Sequence, residues 1–536
     1  MQNNSDAIRD GIAFFNRALE QMPNWNDQVM EASFNVSKGA QTYWYGVLKY
    51  TNEFMVPFWT ALDSFLRLEQ KKAMSLPIEE TAKDYLELLQ FNMQIANKGL
   101  ASSATAVTDH YLRKMSEALE AMLHTIFSGN GKSLAAYTVR QLQLLDLTVH
   151  AYPKAILDIE PEYGFHFERD GYVKTAETDR FELYQVLPQD STIQVREDGK
   201  PIIILPPYVL GANILAFLPG EGKSYVHCFA NQGIPTYIRI MKDIDTTPAV
   251  QLLTPEDDAL DTRYFCEQLM ARHGRKVTLN GFCQGGFMGM LDLLSGELDG
   301  LVDALITCVA PMDGTRSIAL VEYLQHLPPR FRDLGYAAKL LPNGNLVVDG
   351  KVMSWVYKLK SIENEAPIFT FYRDLMMFDR PDGKPVKINK TAAAINHWLL
   401  YDRKDLPLGI TKASFDSYTI PVDADGNLPV KVFGRTLNFK RLKEMGIRWL
   451  LCIAESDDLV DDKASLAPLD FVEAEVTVFP KGHGSIATSW SMPSSACALD
   501  SCWSHKSSRF GAKECRGPVR YQLDLQAEGY EGQEKS

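Results

Sequence analysis

Apolar side chains follow two different rhythms along this chain. Over roughly the first third they recur at spacings of three and four. The runs are Phe54, Met55, Phe58, Trp59, Leu62, Phe65 and Leu66, then Tyr85, Leu86, Leu88, Leu89, Phe91 and Met93, then Leu112, Met115, Leu119, Met122, Leu123 and Ile126. Such spacing gathers them on one face of a helix. Gly129-Asn130-Gly131 stops the third run, and a further helix is expected from Leu134 to Leu147. Residues 1–178 thus read as a helical region. Its apolar faces either pack on one another or present an amphipathic surface to a partner or a lipid-like particle.

From about residue 180 short apolar runs alternate with helical stretches. Strands are expected at Phe181–Val186, Ile202–Leu205, Pro235–Ile240, Val277–Leu279, Ala304–Val309, Trp449–Ala454 and Glu475–Phe479, with an acid-started helix over Asp257–His273 between two of them. The alternation predicts an α/β domain over 179–490, with a mostly parallel sheet and helices on both faces. Loops at the carboxyl ends of such strands hold the chemistry. Between about 313 and 442 the rhythm breaks, as expected of an inserted cap. Residues 491–536, rich in Ser, Cys, Gly and charge, read as a loosely ordered tail. Pro201–Pro219 is apolar enough to suggest a membrane span, but its four prolines point to a buried strand running into a loop.

One strand-to-helix junction carries chemistry. Gly281-Phe282-Cys283-Gln284-Gly285-Gly286 follows the Val277–Leu279 strand and precedes a helix with Met288, Leu291, Leu293 and Leu294 on its apolar side. This is nucleophile-elbow spacing with a cysteine at its centre. The turn is so tight that side chains two residues either side of the nucleophile would strike backbone, so Gly281 and Gly285 carry none. A cysteine at a helix N-terminus is favoured as a thiolate. Asp457, just past the Trp449–Ala454 strand, is the expected triad acid, with Asp458 as the alternative and a merely solvated acidic loop as the bland reading. His483, in Pro480-Lys481-Gly482-His483-Gly484 after the last strand, is the expected base; of the ten histidines only His505 also follows the acid. An attacked carbonyl needs two backbone donors. One is expected from the amide of Gln284 and one from the loop Pro206-Pro207-Tyr208-Val209, with the Val209 amide favoured.

Composition narrows the partners. At 536 residues and net charge −13, with 46% hydrophobic and 23% charged residues, the chain suits a globular protein and is a poor candidate for nucleic acid. Its eight cysteines form no CxxC pairs, which argues against a zinc site and a disulfide framework. No metal and no cofactor is expected. The opening Met1-Gln-Asn-Asn-Ser-Asp lacks a signal-peptide pattern, and a cytoplasmic setting is expected. Two Gly-Lys-Ser sequences, at 131–133 and 222–224, lack the first glycine of a phosphate loop, since Ile126 and Phe217 stand in that place.

With these residues in view, the sequence resembles the polyhydroxyalkanoate synthases, which have the α/β-hydrolase fold, from about Phe181 to His483. Their elbow has the form G-x-C-x-G-G, as at 281–286. Ile204-Leu205-Pro206-Pro207-Tyr208-Val209 with Asn213-Ile214-Leu215 is similar to their first core loop. Trp398, Asp402, Leu406 and Pro407 are similar to their Trp…Asp…Leu-Pro segment. Asp457 precedes Leu459-Val460 as their acid does, and Gly482-His483 is similar to their catalytic pair. The resemblance implies polymerisation of (R)-3-hydroxyacyl-CoA, with Cys283 carrying the growing chain, His483 activating the thiol, and Asp457 assisting, including in deprotonation of the incoming hydroxyl. It also implies granule association, a homodimer and, as a further candidate, a second subunit. After His483 the sequence continues Gly484-Ser-Ile-Ala-Thr-Ser-Trp490, unlike the family's Asn-Pro-Pro-like run. The alternatives are a thioesterase or polyester depolymerase on the same fold and, from another class, a non-enzymatic granule scaffold.

Overall fold

The computed structural model describes residues 29–53, 112–123, 133–318, 337–353, 367–379 and 388–489, with a few single residues between them. Most of the first two helical runs, the Gly129-Asn130-Gly131 stop and the tail after Ser491 lie outside the described residues. The chain divides into two compact units, one holding residues 1–59, 92–158 and 361–389 and the other the remainder.

The first unit is helical where described. α1, Leu134–Asp146, starts on Ser133, whose side chain accepts from the Ala136 amide, and continues through a π-helical turn, Leu147–Ala151. Tyr50 Oη donates to Asp374 at 2.7 Å, and Asp379 accepts from Lys114 and Arg140.

The second unit is built on an eight-stranded sheet. Its strands are β1, Tyr172–Glu177; β2, Phe181–Val186; β3, Ile202–Leu205; β4, Thr236–Met241; β5, Val277–Phe282; β6, Val302–Cys308; β7, Arg448–Ala454; and β8, Glu475–Phe479. They lie in the order β1-β2-β4-β3-β5-β6-β7-β8. Only β2 runs against the rest, pairing antiparallel with β1 and β4; β4 through β8 pair in parallel. That order and direction define the α/β-hydrolase fold. β3 is Ile-Ile-Ile-Leu with every residue buried, as a strand covered on both faces must be.

Two helices carry the sheet's core contacts. α2, Pro255–His273, begins with a capping box in which Thr254 and Asp257 bond reciprocally, and ends at Gly274 with φ +66°. α3, Gln284–Ser295, follows β5 and is buried along all twelve residues.

The structure moves two sequence-drawn boundaries. The helical region stops at Asp158 rather than running to 178, because β1 joins the sheet as its outer strand. β1 is mostly exposed and carries Lys174, Thr175 and Glu177, so it has no apolar run to announce it. The stretch from 313 to 442 is divided as well: Pro367–Phe378 falls in the first unit, while α4, Lys390–Tyr401, and α5, Leu408–Thr419, fall in the second. Leu406, Ile410, Leu428, Val430, Val432 and Phe439 join the same core as α2 and α3, so this part is packed rather than perched. Pro201–Pro219 is a strand followed by short 3-10 turns. Among the described residues no helix is long and apolar enough to cross a membrane.

Candidate active site

The parallel register sets the carboxyl ends of neighbouring strands side by side. Leu205 pairs with Gly281, Phe282 with Cys308, Cys308 with Cys452, and Ala454 with Phe479. Cys283 follows β5, Asp457 the β7 end and His483 the β8 end, so the three candidates emerge at one edge of the sheet.

The glycines of the elbow act through space. A Cβ on Gly281 would sit 2.3 Å from the Gly286 Cα, one on Gly285 2.2 Å from the Leu205 carbonyl oxygen, and one on Gly286 2.7 Å from the Ala310 Cβ. None of these atoms is the far end of a flexible side chain. The closure forces Cys283 to φ +52°, ψ −123°, a conformation a side-chain-bearing residue rarely adopts. Its amide donates to the Cys308 carbonyl at 2.7 Å, tying the turn to β6. The five described cysteines are all free thiols.

His483 Nδ1 lies 2.7 Å from Asp457 Oδ2. The other carboxylate oxygen, Oδ1, accepts from the amides of Leu459 and Val460, both at 2.9 Å. Asp457 is thereby oriented from both sides, with a side chain only 2% exposed. Asp458 is exposed, whereas Asp457 is the carboxylate that meets His483 Nδ1. The acid and histidine loops are stitched together by Glu455 N to Phe479 O at 2.8 Å and Ser456 N to Lys481 O at 2.9 Å. Burial by itself would pull the imidazole pKa down. The charges of the Cys283 thiolate and the Asp457 carboxylate, each also accepting a hydrogen bond from the ring, outweigh it and push His483 up to about 10. These two neighbours favour the charged imidazolium over the neutral ring.

The loop after β3 is held differently. The amides of Tyr208 and Val209 both donate to Gln284 Oε1, at 3.2 and 3.0 Å, and Gln284 Nε2 donates to Ser414 Oγ on α5 at 2.7 Å. The Val209 amide, favoured from sequence as an oxyanion donor, is thus engaged by a side chain. Leu210 follows at φ +61°, and its carbonyl accepts from the Trp398 indole at 2.9 Å. Asp402, four residues beyond Trp398, accepts from Tyr163 at 2.8 Å and Asn213 at 3.2 Å.

Beneath this loop lies a buried polar cluster that sequence reasoning missed. Tyr208 Oη donates to Asp258; Arg239 pairs with Asp258 at 2.9 Å and donates to Tyr208 Oη at 3.1 Å; Thr262 donates to Asp292 at 2.8 Å. Arg239, Asp258 and Asp292 are at most 1% exposed. Burial first, and then the neighbouring Asp258 carboxylate, hold the Asp292 carboxyl well above the ordinary carboxylate range. The signal was present: Arg239 interrupts Tyr237-Ile238-Arg239-Ile240-Met241, and Asp292 interrupts Met290-Leu291-Asp292-Leu293-Leu294. A charge inside a fully apolar run must find a buried partner.

No group of His, Cys, Asp and Glu suited to a metal ion occurs among the described residues. No family model and no curated relative matches the chain. Solved structures that match include a carboxylesterase of Nitrososphaera gargenis, at 14% identity over 59% of this chain and 92% of that one, with a TM-score of 0.34. Carboxylesterase CesB from Bacillus subtilis matches at 10% identity over 63% and 93%, with a TM-score of 0.33. Naproxen esterase from Bacillus subtilis matches at 12% over 64% and 94%, with a TM-score of 0.30. The fold assignment rests on the strand order and direction given above, and these likenesses carry no argument about chemistry.

Proposed function

We propose that the chain is a cysteine-dependent acyltransferase that polymerises (R)-3-hydroxyacyl-CoA into polyester with release of CoA. The observation that carries the reading is a cysteine at a glycine-closed elbow, at the same sheet edge as a histidine held 2.7 Å from a buried aspartate. A thiolate–imidazolium pair suits exchange with a thioester better than a hydroxyl nucleophile does.

In this mechanism Cys283 Sγ attacks the thioester carbonyl carbon, forming a C–S bond and an oxyanion at the N-terminus of α3, where the Gln284 amide is one donor. Collapse breaks the bond to the CoA sulfur, which leaves as a thiol after taking the His483 proton. His483, now neutral, accepts the proton of the incoming 3-hydroxyl group as its oxygen attacks the acyl-enzyme carbonyl carbon; the C–O ester bond forms, the C–S bond to Cys283 breaks and releases the thiolate beside the imidazolium, and the chain lengthens by one unit. Asp457 keeps the imidazole in place and stabilises its charged form. The bonds made by both Asp457 oxygens favour this orienting task over a direct role in deprotonating the hydroxyl. A location on polyester granules and a homodimer, with or without a second subunit, complete the proposal.

The test is CoA release by purified protein from (R)-3-hydroxybutyryl-CoA and a longer-chain analogue, with Cys283→Ala alongside. Release with high-mass polyester, lost in the variant, is the expected result. Release with only free hydroxy acid makes the protein a thioesterase. Absence of release from folded protein overturns the acyl-transfer reading for these donors, and wild-type localisation by Cys283→Ala would then favour the scaffold.

A further inference from the structure

The loop after β3 must supply the second donor to the oxyanion, yet its two leading amides are already occupied. Tyr208 and Val209 point their N–H groups at a single oxygen, Gln284 Oε1. Gln284 is 7% exposed, and its other side-chain atom is fixed to Ser414. Withdrawing that side chain would leave two amides without acceptors, at a cost of about 1–3 kcal/mol each if they stayed buried. The side chain is therefore a fixed brace and does not vacate the loop for substrate. The next residue differs. Leu210 N–H meets no acceptor among the described residues. Leu210 is held at φ +61° with its carbonyl on the Trp398 indole. A non-glycine residue at positive φ beside a nucleophile, clamped from both sides, is strain kept for a purpose.

We propose that Gln284 serves twice: its backbone amide is one oxyanion donor, and its side chain is a positioning group that locks Tyr208 and Val209 so that the Leu210 amide becomes the other. This rests on the acyl-transfer reading above and adds to it a residue role and a changed donor. Trp398 completes the brace from the carbonyl side. The demand falls on glutamine because the task needs one acceptor oxygen for two converging amides and one donor for Ser414, on a side chain long enough to cross from the first residue of α3 to the loop.

The experiment uses the full chain and Gln284→Met, which keeps side-chain volume and removes the acceptor. Two rates are read at Cys283 by mass spectrometry. The first is acylation by p-nitrophenyl acetate, which builds an oxyanion. The second is alkylation by iodoacetamide, a displacement at a saturated carbon that builds none. Gln284→Met is expected to slow the acylation turnover number about 10- to 100-fold with KM within about twofold, while alkylation stays within about threefold of wild type. Parallel loss of both rates, or no change in either, overturns the proposal. Replacing the Leu210 amide by an ester, which deletes that N–H alone, is expected to lower acylation about 100-fold, more than the same change at Val209. The reverse order returns the donor to Val209 and also overturns it. Wild-type protein that is alkylated but never acylated would instead sink the acyl-transfer reading itself.

Discussion

The elbow at 281–286 and the loop at 206–211 flank the same nucleophile, and they reach their shapes by opposite means. The elbow is closed by absence: three glycines leave room for atoms of Gly286, Leu205 and Ala310 that lie 2.2 to 2.7 Å from where a Cβ would be. The glycines themselves fall within six residues of sequence, although two of the atoms they admit come from neighbouring segments. The loop is closed by presence. It depends on Gln284, Trp398 and the Tyr208 hydroxyl's buried partners, which lie 31 to 188 residues away along the chain. A shape set by direct steric contact with backbone and Cβ atoms resists compensation, whereas one set by side-chain clamps can be loosened one clamp at a time.

The contrast is sharpest at Gly285. Gly285→Ala drives a methyl into the Leu205 and Pro206 carbonyls and should cost about 3 kcal/mol or more, seen as a large fall in the thermal midpoint together with loss of Cys283 alkylation. Gly211→Ala, at φ +67° with nothing within 4 Å, should cost only about 1 kcal/mol. Equal costs would break the distinction between steric and clamped closure.

His483→Gln comes next. The imidazolium is raised to about 10, so it is present throughout the neutral range and is lost only as pH rises through that value. The imidazolium's assistance to Cys283 alkylation should therefore persist across the neutral range and fade only as pH rises toward that value. In the variant the rate at pH 7 should fall about tenfold or more and climb with pH like that of an ordinary thiol near 8.5. A wild-type profile that climbs in the same way would refute the ion pair. Trp398→Phe removes one clamp from Leu210 and should lower acylation about tenfold with little change in stability, read from steady-state kinetics and urea unfolding. Tyr208→Phe should act mainly on stability, costing about 1–3 kcal/mol in urea unfolding, because Asp258 and Arg239 each lose a buried partner. Its effect on acylation should be smaller than that of Trp398→Phe.

The same division explains what could be read from the sequence. Six glycine- and strand-bounded positions marked Cys283 as the candidate nucleophile, the spacing to Leu459-Val460 favoured Asp457 over Asp458, and chain order pointed to His483, which lies 2.7 Å from Asp457 in the structure. The buried strands were equally plain, because Ile202–Leu205 and Trp449–Ala454 are apolar throughout. β1 was missed because an exposed edge strand needs no apolar pattern. The engagement of Val209 was missed because a glutamine beside a nucleophile gives no hint that its side chain turns back toward a loop 75 residues earlier. The Arg239–Asp258–Asp292 cluster left a trace only as charges out of place in apolar runs.

That cluster has a thermodynamic side. It encloses one guanidinium and two carboxyl groups, and neither Asp258 Oδ2 nor Asp292 Oδ1 finds a donor among the described residues. A proton kept on Asp292, and shared with Asp258, supplies one. In the unfolded chain at pH 7 both carboxyls are ionised. Collapse of this core is therefore a proton-absorbing reaction, with the native state binding more protons than the unfolded one. Stability from the cluster declines as pH rises above the unfolded carboxyl range. The heat of refolding in two buffers of equal pH but unequal ionisation enthalpy should differ accordingly, which makes the buffer itself a reagent in the folding of this protein.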